Sequence, residues 1–173
     1  MRFIKTKGEY HVVTKATISK DDLVEVSDGR TDLIIDIEEM KFFNASENKW
    51  EGIILSHVIE HIPPFLVLEC LNNIKSYLLD NGTLRILVPD PKVYFDDVES
   101  EQSPQGFKHN FISLNRLFYC WEHQFMFSDK ILTSLLEELG FKEIKVTSFG
   151  KGSLAQFDAN EREFESLCIT ARK

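Results

Sequence analysis

The sequence predicts an α/β domain, and three observations carry that prediction. "GIILS" (Gly52–Ser56) and "TLRILVP" (Thr83–Pro89) are short, continuous apolar runs, as expected of strands buried on both faces of a sheet. "PPFLVLECLNNIKSYLLDNG" between them has helical periodicity, so residues 53–89 read as strand, helix, strand: a parallel pair with a right-handed crossover. The first forty residues read as strands, which concentrates the helices in the second half. With 173 residues the chain suffices for one domain, 1–173, with a proper core.

From the start, "MRFIK", "EYHVVTKATI", "DLVEV" and "TDLIIDI" are β-branched or alternating segments separated by polar residues and glycine. Asp28-Gly29 marks a two-residue hairpin, because both turn positions favour positive φ. The polar loop "NASENKWEG" leads into the first buried strand. The helix that follows tolerates proline in its first turn and offers Phe65, Leu68, Leu71, Ile74 and Leu78 as its apolar stripe. Asp80-Asn81-Gly82 should end it in a left-handed conformation. Asp90 to Gln124 reads as irregular and aromatic-rich, with helical character around "SLNRLFYCW". Within it Asp90 is expected to start a turn before Pro91, and the acidic run Asp96–Glu101 to be a solvated loop. Ser128 is a helix N-cap, Ile131, Leu132, Leu135, Leu136 and Leu139 its buried stripe, and Gly140 its end. "FKEIKVTSF" and "SLCITARK" are the last strands.

A net charge of −8 argues against nucleic acid as partner, since phosphate-backbone affinity comes from Lys and Arg. It also disfavours docking on anionic membranes. No segment has the length of a membrane span, and "MRFIKTKGEY" carries no apolar stretch long enough for a signal peptide. Cys70, Cys120 and Cys168 form no CxxC pair, so they read as reduced thiols in a cytoplasmic protein.

"IILSHVIEHIPP" holds His57, Glu60 and His61 as H-x-x-E-H, the zinc motif of inverted zincin peptidases. A zinc hydrolase would carry that motif in mid-helix. Here His57 follows a buried strand, and Pro63-Pro64 disfavour a helix running through, so no metal is expected. Two readings stay open. His57 and His61 can be turn residues hydrogen-bonded to backbone, with Glu60 as a helix-start acid. Alternatively Ser56 to His61, just past the carboxyl end of a parallel strand, border a small-molecule site.

The stretch "WEGIILSHVIEHIPPFLVLECLNNIKSYLLDNGTLRILVPD" resembles the central third of class I S-adenosylmethionine-dependent methyltransferases, closest to small bacterial members linked with surface polysaccharides. Those members show a Glu-His pair after a strand, a helix, a Gly-containing turn and a strand ending in Pro-Asp. The likeness continues at "EHQFMFSDKILTSLLEELGFKEIKV" and "NEREFESLCITARK", and covers roughly residues 32 to 173. It implies a Rossmann-like sheet, mostly parallel, with an antiparallel C-terminal strand and here a reduced N-terminal half. It also implies S-adenosylmethionine as cofactor and methyl transfer to a small or saccharide-linked acceptor.

By the same resemblance Thr14 approaches the methionine part of the cofactor, Glu25 holds the ribose, Asp36 sits near the adenine, and Ser56 and His57 floor the pocket. His123, in "CWEHQF", faces the acceptor as a general base, with His61 in the same capacity. Each histidine has an alternative as a satisfied core residue. The aromatics Phe107, Phe111, Phe118, Tyr119, Trp121, Phe125 and Phe127 are acceptor-pocket walls, core, or a subunit contact of a homo-oligomer. One departure stands out: where the family has a glycine-rich loop, this chain has "TKATISKDD". The competing reading is therefore a non-catalytic binding or assembly module that keeps the fold and has lost the cofactor.

Overall fold

The computed structural model describes four short N-terminal strands, β1 (Arg2–Ile4), β2 (Tyr10–Val12), β3 (Ile35–Asp36) and β4 (Lys41–Phe42), and residues 50–100, 110–121, 123–158 and 160–173. The larger elements are β5 (Trp50–Ser56), α1 (Pro64–Tyr77), β6 (Leu78–Pro89), α2 (Pro91–Ser100), α3 (Asn110–Tyr119), α4 (Asp129–Glu138), β7 (Lys142–Thr147) and β8 (Ser166–Arg172). Six strands form one sheet in the order β2-β1-β5-β6-β8-β7, and β3 and β4 form a separate two-stranded sheet. β5 and β6 pair in parallel, while β1 is antiparallel to β2 and β5, and β8 to β6 and β7. It follows that β2, β5, β6 and β7 all point one way. The sheet is the expected mixed one, with the closing strand reversed.

The N-terminal expectations meet this picture in part. "MRFIK" and "EYHVVTKATI" supply the antiparallel pair β1–β2 at the edge of β5. "TDLIIDI" supplies β3, which pairs only with β4 among the described residues. The Asp28-Gly29 turn and "DLVEV" lie outside the described residues.

Strand periodicity sorts the core onto two faces. Ile53 and Leu55 of β5, Leu84, Ile86 and Val88 of β6, and Leu167, Ile169 and Ala171 of β8 face α1 and α4 in one large cluster. The alternate residues Ile54, Leu87 and Cys168 face the other way, under Phe149, Leu154 and Phe157 of the β7–β8 connection. Gly52 lies on that second face, where a Cβ would meet the Leu154 side chain at 2.9 Å. So does Arg85, fully buried, with Nε donating to Asp158 Oδ1 at 2.7 Å and Nη2 to Oδ2 at 2.5 Å.

Both long helices sit slightly differently from their sequence patterns. α1 buries Val67, Cys70, Leu71, Ile74 and Tyr77, which leaves Phe65 in solvent at 83% exposure. It also ends earlier than expected. Leu78 is already extended and opens β6, and Asn81 takes its left-handed φ of 62° in an irregularity of the strand. Gly82 is needed there for a different reason, since a Cβ would stand 2.8 Å from the Leu79 carbonyl oxygen and 3.1 Å from that of Trp50. α4 has its predicted ends. The Ser128 hydroxyl accepts from the Ile131 N–H at 3.3 Å, and Gly140 at φ 72° closes a Schellman motif, with its N–H on Glu137 and that of Phe141 on Leu136. Leu132 and Leu136 are buried, but Ile131 is exposed. Ser128→Ala is expected to lower stability by about 1 kcal/mol in a urea melt, the worth of a single N-cap.

In the aromatic-rich segment the described residues hold two helices, α3 where helical character was expected and α2 where it was not. Asp90 Oδ1 accepts from the Lys92 N–H at 3.0 Å and starts α2, and α2 extends through Asp96–Ser100 in place of the expected loop. No helix among the described residues is long and apolar enough to cross a membrane.

Candidate functional site

The site begins where the two parallel strands stop. β5 ends at Ser56, opposite Leu87 of β6, and the backbone leaves the sheet at His57 with φ 52°. A residue with a Cβ costs roughly 1–2 kcal/mol in that left-handed region, so it persists only under restraint. The His57 N–H donates to the Leu87 carbonyl at 2.9 Å. Its Nε2 lies 2.9 Å from Ser166 Oγ, whose own hydrogen goes to the Arg162 carbonyl at 2.7 Å, so Nε2 is the donor of the pair. The other ring nitrogen, Nδ1, lies 3.5 Å from Glu60 Oε1. Ser56 itself is half-buried at the rim.

β6 and β8 complete this end of the sheet. The Asp90 N–H donates to the Glu165 carbonyl at 2.7 Å, tying the exit of β6 to the entrance of β8. Glu165 is buried, and its carboxylate takes the Tyr94 hydroxyl on one oxygen and Arg162 Nη1, at 2.7 Å, on the other. That pairing fastens α2 to the rim. Neither Tyr94 nor Glu165 carries a local signal, because their meeting depends on a sequence separation of 71 residues.

Beyond His57 the chain makes one 3-10 turn, Ile59–His61, and straightens at Ile62 before the prolines. The H-x-x-E-H string is therefore on a turn, as Pro63-Pro64 predict, and not in mid-helix. Glu60 is the acid in the first turn of this short helix, as expected of a helix start. Its side chain is fully buried, and its backbone carbonyl accepts from the N–H groups of Gln124 at 2.7 Å and Phe125 at 3.2 Å. Those two bonds clamp the 123–125 segment against the turn and bring His123 to His61, with ring centroids 4.8 Å apart at 62°. His123 Nδ1 lies 2.6 Å from the Leu117 carbonyl, which can only accept, so Nδ1 carries the hydrogen and Nε2 the lone pair. Burial pushes the His123 pKa below its ordinary value. The Leu117 contact and the Glu60 charge oppose the shift, and His61 and His57 add to it. His61 is a quarter exposed. The expectation that His57 and His61 serve as backbone-bonded turn residues holds for both main chains, since the His61 N–H donates to the Val58 carbonyl at 3.1 Å; the His57 ring goes to a serine.

Four of the seven residues singled out from sequence are thus brought together at one end of β5: Ser56, His57, His61 and His123. Thr14 and Glu25 lie outside the described residues. Asp36 lies on β3, in the two-stranded sheet. The aromatic set divides. Phe127 is core and Phe125 packs on it, whereas Phe111, Phe118, Tyr119 and Trp121 are exposed; Phe107 lies outside the described residues. A shallow depression of about 370 Å³ runs along α3, lined by Phe111, Ile112, Asn115, Arg116, Tyr119 and Cys120. All three cysteines are free, and burial pushes the thiols of Cys70 and Cys168 up to about 12 and about 11, which keeps both protonated and unreactive. Cys120 is exposed rather than buried.

A strand pair with its carboxyl ends side by side, and polar groups gathered just beyond them, is where open α/β sheets bind small ligands. The comparisons agree with that architecture. Among curated proteins no match is found. A family model described as a methyltransferase domain matches residues 11–146. Among solved structures, a SAM-dependent methyltransferase from Archaeoglobus fulgidus is 18% identical with a TM-score of 0.53, covering 85% of this chain and 70% of that one. A Thermotoga maritima SAM-dependent methyltransferase, described as a possible histamine N-methyltransferase, is 17% identical with a TM-score of 0.51, covering 84% and 65%. The DszA carbon methyltransferase is 16% identical with a TM-score of 0.50, covering 84% of this chain and 34% of that one. At such identities the structural likeness is one of fold, and this chain spans only part of each relative. The family model, which matches well over half of the chain, decides the assignment: the chain belongs to the methyltransferase-domain family.

Proposed function

We propose that this chain transfers a methyl group from S-adenosylmethionine to a small or saccharide-linked acceptor, acting as a single domain in the cytoplasm. The observation that supports it most is the parallel pairing of β5 with β6, which ends both strands at a common rim holding Ser56 and His57. The left-handed turn at His57 carries the backbone away from the sheet and leaves Ser56 half-exposed there, which suits one wall of a nucleoside cleft. Ser56 and His57 are the described residues that would border the cofactor. Thr14, Glu25 and Asp36 are the proposed remainder, carried by resemblance alone. When bound, the cofactor supplies an electrophilic methyl group on a sulfonium.

The protein's own part is then to position the acceptor and receive a proton. His123 suits that role, because the Leu117 carbonyl fixes its tautomer and leaves the Nε2 lone pair free beside His61. His57 is less suited, since Ser166 holds its Nε2 and its Nδ1 faces the buried Glu60 carboxylate at 3.5 Å. Calorimetry with S-adenosylhomocysteine tests the reading. Micromolar binding, weakened by Asp36→Ala, is expected. A folded protein that gives no heat of binding would sink it in favour of the non-catalytic module.

A further inference from the structure

Glu60 poses a problem that methyl transfer does not answer. Its carboxylate is fully buried, and neither oxygen accepts a hydrogen bond from any of the described residues. Burying a carboxylate without a partner costs several kcal/mol, so such groups are paired or bind a cation. The nearest candidates for compensation are imidazoles. His57 Nδ1 is 3.5 Å from Oε1 and His61 Nε2 is 3.8 Å from it, both too long for hydrogen bonds.

We propose that Glu60, His61 and His123 form a binding site for one divalent first-row transition-metal ion of the zinc type. One ligand atom from each of the three lies within 4.8 Å of the others. Tetrahedral zinc with bonds of about 2.0–2.1 Å needs ligand atoms about 3.4 Å apart, so the 3.8 Å between Glu60 and His61 is already close and small side-chain rotations bring in the third. Two imidazoles and one carboxylate suit such an ion, whereas calcium and magnesium prefer all-oxygen shells.

The surroundings have the form of a metal site as well. The His123 Nδ1–H on the Leu117 carbonyl is the outer contact that orients a ligating histidine and turns Nε2 toward the ion. The Glu60 carbonyl holds both Gln124 and Phe125, which fixes the separation between the turn and the segment that carries His123. His61 is partly exposed, so an ion has a way in and a position is left for a further ligand. This ligand set differs from the H-x-x-E-H pattern, in which His57 and His61 bind together. Here the Ser166 hydroxyl holds His57 out of the set, and the third ligand comes from 62 residues further on. The ion and a proton compete for the same Nε2 lone pair of His123.

The test uses the whole chain, stripped with a chelator and then titrated with Zn²⁺, and with Co²⁺ for its visible spectrum. One ion per chain is expected, with binding lost in both Glu60→Gln and His123→Ala and kept in Cys120→Ser. Binding that survives the first two substitutions overturns the proposal, as does a stripped, folded protein that takes up no ion. Thermal melts of the metal-free proteins add a readout independent of binding. Glu60→Gln removes the uncompensated charge and is expected to raise Tm above that of the metal-free parent; a lower Tm would mean that a protonated histidine compensates Glu60, which also overturns the proposal. No cofactor enters any of these measurements, so their outcome is separate from that of the methyl-transfer reading.

Discussion

Asp158→Ala is expected to destabilise the protein by about 3–5 kcal/mol, the cost of leaving one charge of a buried pair alone. A domain of this size has about 5–15 kcal/mol in all, so the effect is a large share of it. The reason is specific to Arg85. Its side chain is fully buried in the middle of β6, and its partners among the described residues lie in the β7–β8 region: Asp158, the Thr147 hydroxyl at 3.3 Å and the Lys151 carbonyl at 3.2 Å. Asp158 Oδ2 also accepts from the Gly150 N–H at 3.0 Å. The pair therefore fastens the cover of the second sheet face as well as neutralising a charge. Replacing both residues, Arg85→Met with Asp158→Leu, is expected to recover most of the loss, because an apolar pair of similar volume needs no compensation. Urea denaturation of the three proteins checks this. Equal losses in the single and double variants would show that the hydrogen bonds of the pair, and not an unpaired charge, set the cost.

His123→Gln is expected to slow methyl transfer by roughly 10²–10⁴-fold, the usual worth of a positioned proton acceptor. Glutamine keeps the size and part of the hydrogen-bonding capacity of the side chain, and loses the basic lone pair. The effect should fall on turnover and leave S-adenosylhomocysteine affinity unchanged, because His123 meets His61 and Leu117, whereas the proposed cofactor contacts begin at Ser56 and His57. The metal titrations report separately whether that lone pair is open to a proton or taken by an ion. A parallel fall in affinity would place His123 in the cofactor cleft instead.

Local physics made much of this fold legible from sequence. Continuous apolar runs such as Ile53–Leu55 are stable only where both strand faces are covered, so a buried parallel pair followed from composition alone. The ends of α4 were equally readable, because Ser128 and Gly140 answer the needs of backbone groups a few residues away. Helix faces were less so. Period counting selects a stripe but not its rotation, and Phe65 and Ile131 lie at edges of their stripes that nothing covers.

What the sequence settled by itself is the β5–α1–β6 unit and the position of Ser56 and His57 at its rim, while the reversed last strand was implied by the family resemblance. Only the tertiary structure decided how the charged groups are neutralised. Arg85 finds Asp158 73 residues away, Tyr94 finds Glu165 71 residues away, and the Glu60 carboxylate stands buried among three imidazoles with no hydrogen bond from any of the described residues. A residue's period and propensity are set by its neighbours in the chain, but the fate of a buried charge is set by whatever the fold places within about 4 Å of it.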